Sequence, residues 1–166
     1  MYTYTNPWQD VIAIGFYTIT CVNHHGPGVL GSMPLPQDTT AIHKNAGVSI
    51  LVVDDERPIT DTLCQILRWA GYECRSAYGA AEALAILNEF TPRLIITDVM
   101  MPEVNGIELA KTIHEKYPQC RILIFSGNAA TQDLLESARA EGYSFNVLAK
   151  PLHPRELLAR VATLLS

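Results

Sequence analysis

Long apolar runs and clusters of basic residues are both missing from this sequence of 166 residues. The apolar stretch Val11–Val22 is only twelve residues long, whereas a transmembrane helix needs about 20. The 12 Lys and Arg residues are outnumbered by 17 Asp and Glu residues, and they form no stripe or block. A nucleic-acid-binding domain carries such a basic stripe. The composition therefore predicts a cytoplasmic protein that contacts neither membrane nor DNA directly.

A regular pattern is missing from residues 1–47. This segment carries Gly, Pro, Asn, Thr and aromatic residues without a sustained period. A signal peptide needs positive charge ahead of its apolar core, but the first Lys or Arg of the chain is Lys44. We therefore expect residues 1–47 to form an irregular or disordered N-terminal extension, with Met33 as a second candidate for the start of translation.

Paired cysteine spacings, which are typical of zinc sites and disulfide frameworks, are missing as well. The four cysteines lie far apart, at Cys21, Cys64, Cys74 and Cys120. Cys64 falls in a helical pattern and Cys74 in a strand pattern. We therefore expect these two residues to be small buried thiols in a reducing compartment.

A regular alternation of two patterns begins at Val48 and continues to the end of the chain. Five short segments are typical of strands: Ile50–Val53, Tyr72–Ala77, Leu94–Ile96, Ile122–Phe125 and Asn146–Ala149. Five segments with helical spacing alternate with them: Pro58–Ala70, Ala80–Phe90, Ile107–Tyr117, Thr131–Glu141 and Pro154–Leu165. In the fourth of these, Leu134 and Ala138 should face inward. This alternation predicts one α/β domain over residues 48–166, with a parallel sheet covered by helices on both faces.

Acidic, hydroxyl and basic residues follow four of the five predicted strands. In chain order they are Asp54 and Asp55, then Asp98, then Ser126, then Lys150. In an open parallel sheet, ligands bind beyond the carboxyl ends of the strands. These residues should therefore meet at one edge of the sheet and form a site.

Three carboxylates at one edge are explained best by a hard cation. Mg²⁺ prefers a few carboxylates together with water and a phosphate oxygen. A loop with three acids also differs from nucleotide and flavin sites, where glycine and hydroxyl residues bring backbone N–H groups to a phosphate. Acids at the start of a helix account for Asp54 and Asp55, but not for Asp98 or Lys150. The pattern therefore favours Mg²⁺.

Four segments together resemble the receiver domain of two-component response regulators. They are ILVVDDE (Ile50–Glu56), LIITDVMMPEVNG (Leu94–Gly106), ILIFSG (Ile122–Gly127) and AKPL (Ala149–Leu152). The resemblance covers about residues 48–166. It implies a flavodoxin-like, doubly wound sheet of five parallel strands in the order 2-1-3-4-5, with five helices.

The resemblance implies that Asp98 is the phosphoacceptor, which takes a phosphoryl group from a sensor histidine kinase or a histidine phosphotransfer protein. Lys150 and Ser126 would contact the phosphoryl group. A metal site for Mg²⁺ would combine Asp54, Asp55 and Asp98 with the backbone carbonyl of Met100. In this family the Lys–Pro peptide bond after the last strand is commonly cis.

Because the chain ends at Ser166, directly after the fifth helix, we expect a stand-alone response regulator. It would act through an unknown protein target, with phosphorylation-dependent dimerisation as one option. It would catalyse its own phosphorylation and dephosphorylation without turning over small molecules.

Two alternatives remain open at this point. A Mg²⁺-dependent phosphatase or phosphotransferase would use an Asp nucleophile, but such enzymes usually carry a second acid where Met100 stands. A phosphorylation-independent interaction module gains some support from Val147, which stands where response regulators usually place Tyr or Phe, three residues before the lysine. The intact Asp98, Lys150 and acid pair argue against this module. Phe145 lies two residues earlier and too far from the site to replace that aromatic residue.

Overall fold

The computed structural model describes residues 45–127, 130–151 and 153–166. The predictions for residues 1–44, which include most of the irregular extension and the start at Met33, lie outside the described residues. Within the described ranges, no helix has the length and apolar character that crossing a membrane requires.

Five parallel strands form one sheet in the described part of the chain. The strands are β1 (Ser49–Val53), β2 (Glu73–Ala77), β3 (Leu94–Asp98), β4 (Arg121–Ser126) and β5 (Asn146–Ala149). Their order is β2-β1-β3-β4-β5, and every neighbouring pair is parallel. The central strands are buried on both faces, which explains their nearly continuous apolar sequences. The predicted flavodoxin-like sheet and its strand order are confirmed.

In the described residues one helix follows each strand, so four helices connect the strands and a fifth follows β5. They are α1 (Arg57–Trp69), α2 (Ala80–Ile86), α3 (Gly106–Lys116), α4 (Ala130–Ala140) and α5 (Pro154–Leu165). Pro58 lies in the first turn of α1, where no N–H is needed, and Gly71 follows its end with a φ of 92°. Helix α2 is shorter than predicted, because the chain turns at residues 87–89 and thereby buries Phe90.

Two apolar cores lie on opposite faces of the sheet, because successive residues of a strand point to opposite sides. Leu51 belongs to the core beneath α2, α3 and α4, whereas Ile50 belongs to the core beneath α1 and α5. The prediction that Leu134 faces inward is wrong, since its side chain is 37% exposed. The inward face of α4 instead runs through Thr131 and Ala138, which are both buried.

Cys64 on α1 and Cys74 on β2 are joined by a disulfide. The prediction that they are buried is confirmed, but the prediction that they are thiols is wrong. Packing of α1 against the edge of the sheet brings their Cα atoms to 5.5 Å, which is within the range that a disulfide spans. A separation of ten residues in sequence does not indicate this contact, because it depends on how the helix returns to the sheet.

Candidate functional site

The acidic cluster, defined here as Asp54, Asp55 and Asp98, lies at the carboxyl ends of the neighbouring strands β1 and β3. One carboxylate oxygen of each residue lies within 4.8 Å of the others. Asp54 and Asp98 are only 1% and 6% exposed, whereas Asp55 is exposed. Like charges at this separation repel each other, so the cluster calls for positive charge.

Lys150, which follows β5, supplies one positive charge to the acidic cluster. Its Nζ lies 2.8 Å from Asp98 Oδ1 and 3.3 Å from Asp54 Oδ2. Burial acts to lower the pKa of Lys150, but the hydrogen bond to Asp98 and the charges of both acids outweigh burial and raise it. The lysine therefore stays protonated and bridges the two buried carboxylates.

Backbone N–H groups orient the same two carboxylates. The N–H of Glu56 donates to Asp54 Oδ1 at 2.9 Å, and the N–H of Met100 donates to Asp98 Oδ2 at 3.0 Å. Burial raises the pKa of Asp54, although the N–H of Glu56 and the charge of Lys150 act in the opposite direction. Each buried acid is thus held between one N–H group and one ammonium group.

The charges and donor atoms of this cluster fit a divalent cation. Three carboxylates face one ammonium group, so two negative charges remain unmatched when all three acids are ionised. Carboxylate oxygens are the ligands that Mg²⁺ and Ca²⁺ prefer. The residues that the sequence predicts as metal ligands therefore lie together. The choice of Mg²⁺ and the use of the Met100 carbonyl stay predictions.

Ser126 ends β4 and Lys150 follows the neighbouring strand β5, and a backbone hydrogen bond joins the two residues. The N–H of Lys150 donates to the carbonyl of Ser126 at 2.8 Å. Gly127 lies against the aliphatic part of the lysine, where an added Cβ would lie 3.4 Å from Lys150 Cβ. The Lys150–Pro151 peptide bond is cis, as the resemblance implies. The half-buried Ser126 thus sits beside the lysine at the same edge of the sheet.

Gly106 allows α3 to begin close against β3. A Cβ built at this position would lie 1.7 Å from the carbonyl oxygen of Asp98, so no other residue fits without movement of the backbone. The N–H of Gly106 donates to the carbonyl of Val99 at 3.0 Å. Asn105 caps the helix by accepting hydrogen bonds from the N–H groups of Ile107 and Glu108. The glycine therefore holds the loop after Asp98 in place.

Two buried threonines behind the acids were not predicted from the sequence. Thr60 Oγ1 donates to the carbonyl of Asp54 at 2.9 Å, and Thr97 Oγ1 donates to the carbonyl of Asp98 at 3.0 Å. Both threonines are fully buried. A polar residue within an otherwise apolar strand is the signal that could have identified Thr97.

Phe145 directly precedes β5, the strand that leads to the lysine, and Val147 is the second residue of that strand. Val147 is half-buried and borders a groove of about 370 Å³ between β5 and α4, whose lining also includes Ser126. Phe145 stacks on Tyr143 with ring centroids 5.9 Å apart and meets the edge of His114. Phe145 is therefore engaged on α3, away from the acidic cluster.

The sequence model of the response regulator receiver domain family matches residues 50–162. The chain belongs to this family. Receiver domains are signalling domains, and the acidic cluster of this receiver domain lies at the ends of β1 and β3. The resemblance that the four sequence segments indicate is confirmed.

Among curated proteins, this receiver domain is similar to the phosphate regulon transcriptional regulatory protein PhoB of Pseudomonas aeruginosa, with 35% identity over 119 residues. The match covers 72% of the chain and 52% of PhoB. The chain thus spans about half the length of that curated relative.

This chain is also similar to solved structures of receiver domain proteins. A receiver domain protein from Clostridium thermocellum has a TM-score of 0.64 and 28% identity, and the match covers 70% of this chain and 93% of that one. A CheY-like receiver domain protein from Methanospirillum hungatei has a TM-score of 0.62 and 31% identity, with coverage of 69% and 90%.

Proposed function

We propose that Asp98 accepts a phosphoryl group from a phosphohistidine on a sensor histidine kinase or a histidine phosphotransfer protein. The observation that carries this proposal is the bridge from Lys150 to the buried carboxylates of Asp98 and Asp54 at the ends of adjacent strands. Such an arrangement places a nucleophile beside the positive charge that an incoming phosphoryl group needs. Membership of the receiver domain family supports the same role.

In the proposed reaction, a carboxylate oxygen of Asp98 attacks the phosphorus. The bond between this oxygen and phosphorus forms as the bond between phosphorus and the histidine nitrogen breaks, and the electron pair returns to the imidazole. Lys150 neutralises charge on the phosphoryl oxygens as a mobile ammonium group. The hydroxyl of Ser126, at the end of the neighbouring strand β4, donates a hydrogen bond to the transferred group. These residues thus stabilise the charge that is spread over the phosphoryl oxygens.

The metal ligands in this proposal are Asp54, Asp55 and Asp98 with the backbone carbonyl of Met100. A bound Mg²⁺ supplies positive charge that offsets the repulsion between the carboxylates and the phosphoryl oxygens. Asp54 is fixed for this purpose by the N–H of Glu56, and Asp98 is fixed by the N–H of Met100. The two buried acids therefore need little rearrangement to act as ligands.

The proposed output is a change in protein–protein interaction or passage of the phosphoryl group to another histidine. Val147 stands in place of the aromatic residue whose movement usually reports phosphorylation in this family. Another part of the domain would therefore carry the signal. Dimerisation on phosphorylation is one form that this output can take. The expectation of a stand-alone regulator stays a prediction, because the chain matches only about half of PhoB.

Intact-mass analysis with acetyl phosphate tests this function. We expect one added phosphoryl group in the presence of Mg²⁺, none in excess EDTA and none in an Asp98→Asn variant. Asp133→Asn, which removes the same charge from the exposed surface of α4, should be phosphorylated like the wild type. Absence of any adduct, with unchanged consumption of the donor, would instead support a phosphorylation-independent interaction module.

A further inference from the structure

The disulfide between Cys64 and Cys74 joins α1 to β2, which is an edge strand of the sheet. Both residues are buried in the core beneath α1 and α5. We propose that this pair is a reversible thiol–disulfide site that fixes α1 on the edge strand. Its oxidant would be a small-molecule disulfide of the glutathione class. This proposal does not depend on the proposed phosphoryl chemistry.

Contacts that do not require the bond hold the two cysteines next to each other. Arg68, one turn along α1 from Cys64, donates to the carbonyl of Cys74 from Nε at 3.0 Å and from Nη2 at 2.6 Å. The N–H of Tyr72 donates to the carbonyl of Leu67 at 3.1 Å and so ties the end of α1 to the start of β2. A reduced domain therefore keeps both thiols adjacent, which gives their reaction a high effective concentration.

Oxidation proceeds by two exchange steps. The thiolate of one cysteine attacks a sulfur of oxidised glutathione, forms a mixed disulfide and releases one glutathione thiolate. The thiolate of the other cysteine then attacks the protein sulfur of the mixed disulfide, closes the internal bond and releases the second glutathione thiolate. The two protons of the protein thiols end on the two glutathione molecules. The protein loses two electrons and the oxidant gains two.

The position of the pair at one side of the sheet gives the oxidant a route to it. Because β2 is at the edge, local opening of that edge exposes Cys74 without unfolding of the other strands. Cys120, the free cysteine of the described residues, lies in the other core on the opposite face of the sheet. Burial raises the pKa of the Cys120 thiol to about 12. Cys64 and Cys74 are buried too, so their reaction as thiolates depends on this local opening of the edge strand.

The bond joins the two elements that form one wall of the acidic cluster, although Cys74 pairs with Ile50 near the opposite end of that wall. Helix α1 begins three residues after Asp54, and the N–H of Asp54 donates to the carbonyl of Ala77 at the end of β2 at 3.2 Å. The two elements that the disulfide joins therefore both border Asp54. We expect oxidation to stabilise this wall against local opening.

The test uses the full chain with Cys21→Ser, which removes the cysteine outside the described residues. Reduced protein is freed of reductant and incubated with oxidised glutathione under native conditions. We expect a mass loss of two hydrogen atoms, a peptide that links Cys64 to Cys74, and a rise in Tm of about 10 °C. The rise follows from restriction of the unfolded chain, as for disulfides that close loops of this length. Dithiothreitol should reverse both changes.

Cys64→Val and Cys74→Val serve as controls, because each keeps an apolar side chain of similar size. The Tm of either variant should not respond to oxidised glutathione. If a variant fails to fold, the proposal is decided by the Tm difference between the oxidised and the reduced forms of the Cys21→Ser protein. Stable glutathione adducts without the internal bond, formation of the bond only in denaturant, or an equal Tm in both states would overturn the proposal.

Discussion

At the ends of β1 and β3, two buried carboxylates are each held by a backbone N–H group and by Lys150, whereas the side chains of β4 and β5 at the same edge are more exposed. There, Ser126 and Val147 are half-buried beside a groove of about 370 Å³. The first region follows the sequence pattern of the receiver domain family, and the second departs from it at Val147. Under the proposed function, this difference places the acceptor chemistry and its readout in separate parts of the site. The predictions below test this separation.

The largest effect is expected from Gly106→Ala, in the tightly held region. The new Cβ would lie 1.7 Å from the carbonyl oxygen of Asp98, so the backbone must move. We expect a loss of about 3 kcal/mol in the free energy of unfolding, measured by urea denaturation. Gly127→Ala is the matched change in the more exposed region after β4, where the Cβ meets Lys150 at an ordinary 3.4 Å. Its effect should stay within about 0.5 kcal/mol, and equal effects at both glycines would refute the comparison.

Lys150→Met should reduce the rate of phosphorylation by acetyl phosphate at least tenfold, which corresponds to about 1.4 kcal/mol of barrier. The substitution removes the ammonium group that lies 2.8 Å from Asp98 Oδ1. Methionine keeps an unbranched side chain of similar length. The rate is read from intact mass against time. Lys116→Met, on the exposed end of α3, is the control and should leave the rate unchanged. A normal rate in Lys150→Met would remove the lysine from the mechanism.

Met100→Asn should shorten the lifetime of the phosphoryl group several-fold. The Met100 side chain follows Asp98 by two residues and is 58% exposed, so an amide there can bind water close to the acceptor. The lifetime is measured as loss of the phosphorylated mass after removal of the donor. Val104→Asn makes the same kind of change at an exposed position of the same loop and should leave the lifetime as it is. An unchanged lifetime in Met100→Asn would exclude a role for this side chain.

The smallest effect on chemistry is expected from Val147→Tyr, in the more exposed region on β5. The groove beside α4 offers space for the ring, so the free energy of unfolding should change by no more than about 1 kcal/mol. The phosphorylation rate should stay within about twofold of the wild type, because the acidic cluster is untouched. A much larger change in rate would show that readout and chemistry are coupled.

The sequence predicted the architecture and the members of the site for a simple physical reason. Parallel strands that are buried on both faces are almost entirely apolar, so an ionisable residue directly after such a run marks its carboxyl end. Asp54, Asp98 and Lys150 were identified in this way, and the structure brings their side chains together. Local rules of this kind need no knowledge of how the elements pack.

Features that depend on packing were not predictable in the same way. The disulfide between Cys64 and Cys74 depends on how α1 returns against β2, and the spacing of the two cysteines carries no trace of it. The outward direction of Leu134 depends on how α4 is rotated about its axis. Thr60 supports Asp54 from inside α1, where a threonine could equally have faced solvent.

The central claim is that Asp98 is the acceptor, and a donor with a phosphorus–nitrogen bond tests it most directly. Phosphoramidate contains the kind of bond that phosphohistidine contains, and borohydride reduction of the product marks the carboxyl group that carried the phosphoryl group. After reaction with Mg²⁺ present, reduction and digestion, the mark should be found at Asp98 alone. A mark at Asp54, Asp55 or any other acid, or no mark despite consumption of the donor, would contradict the account.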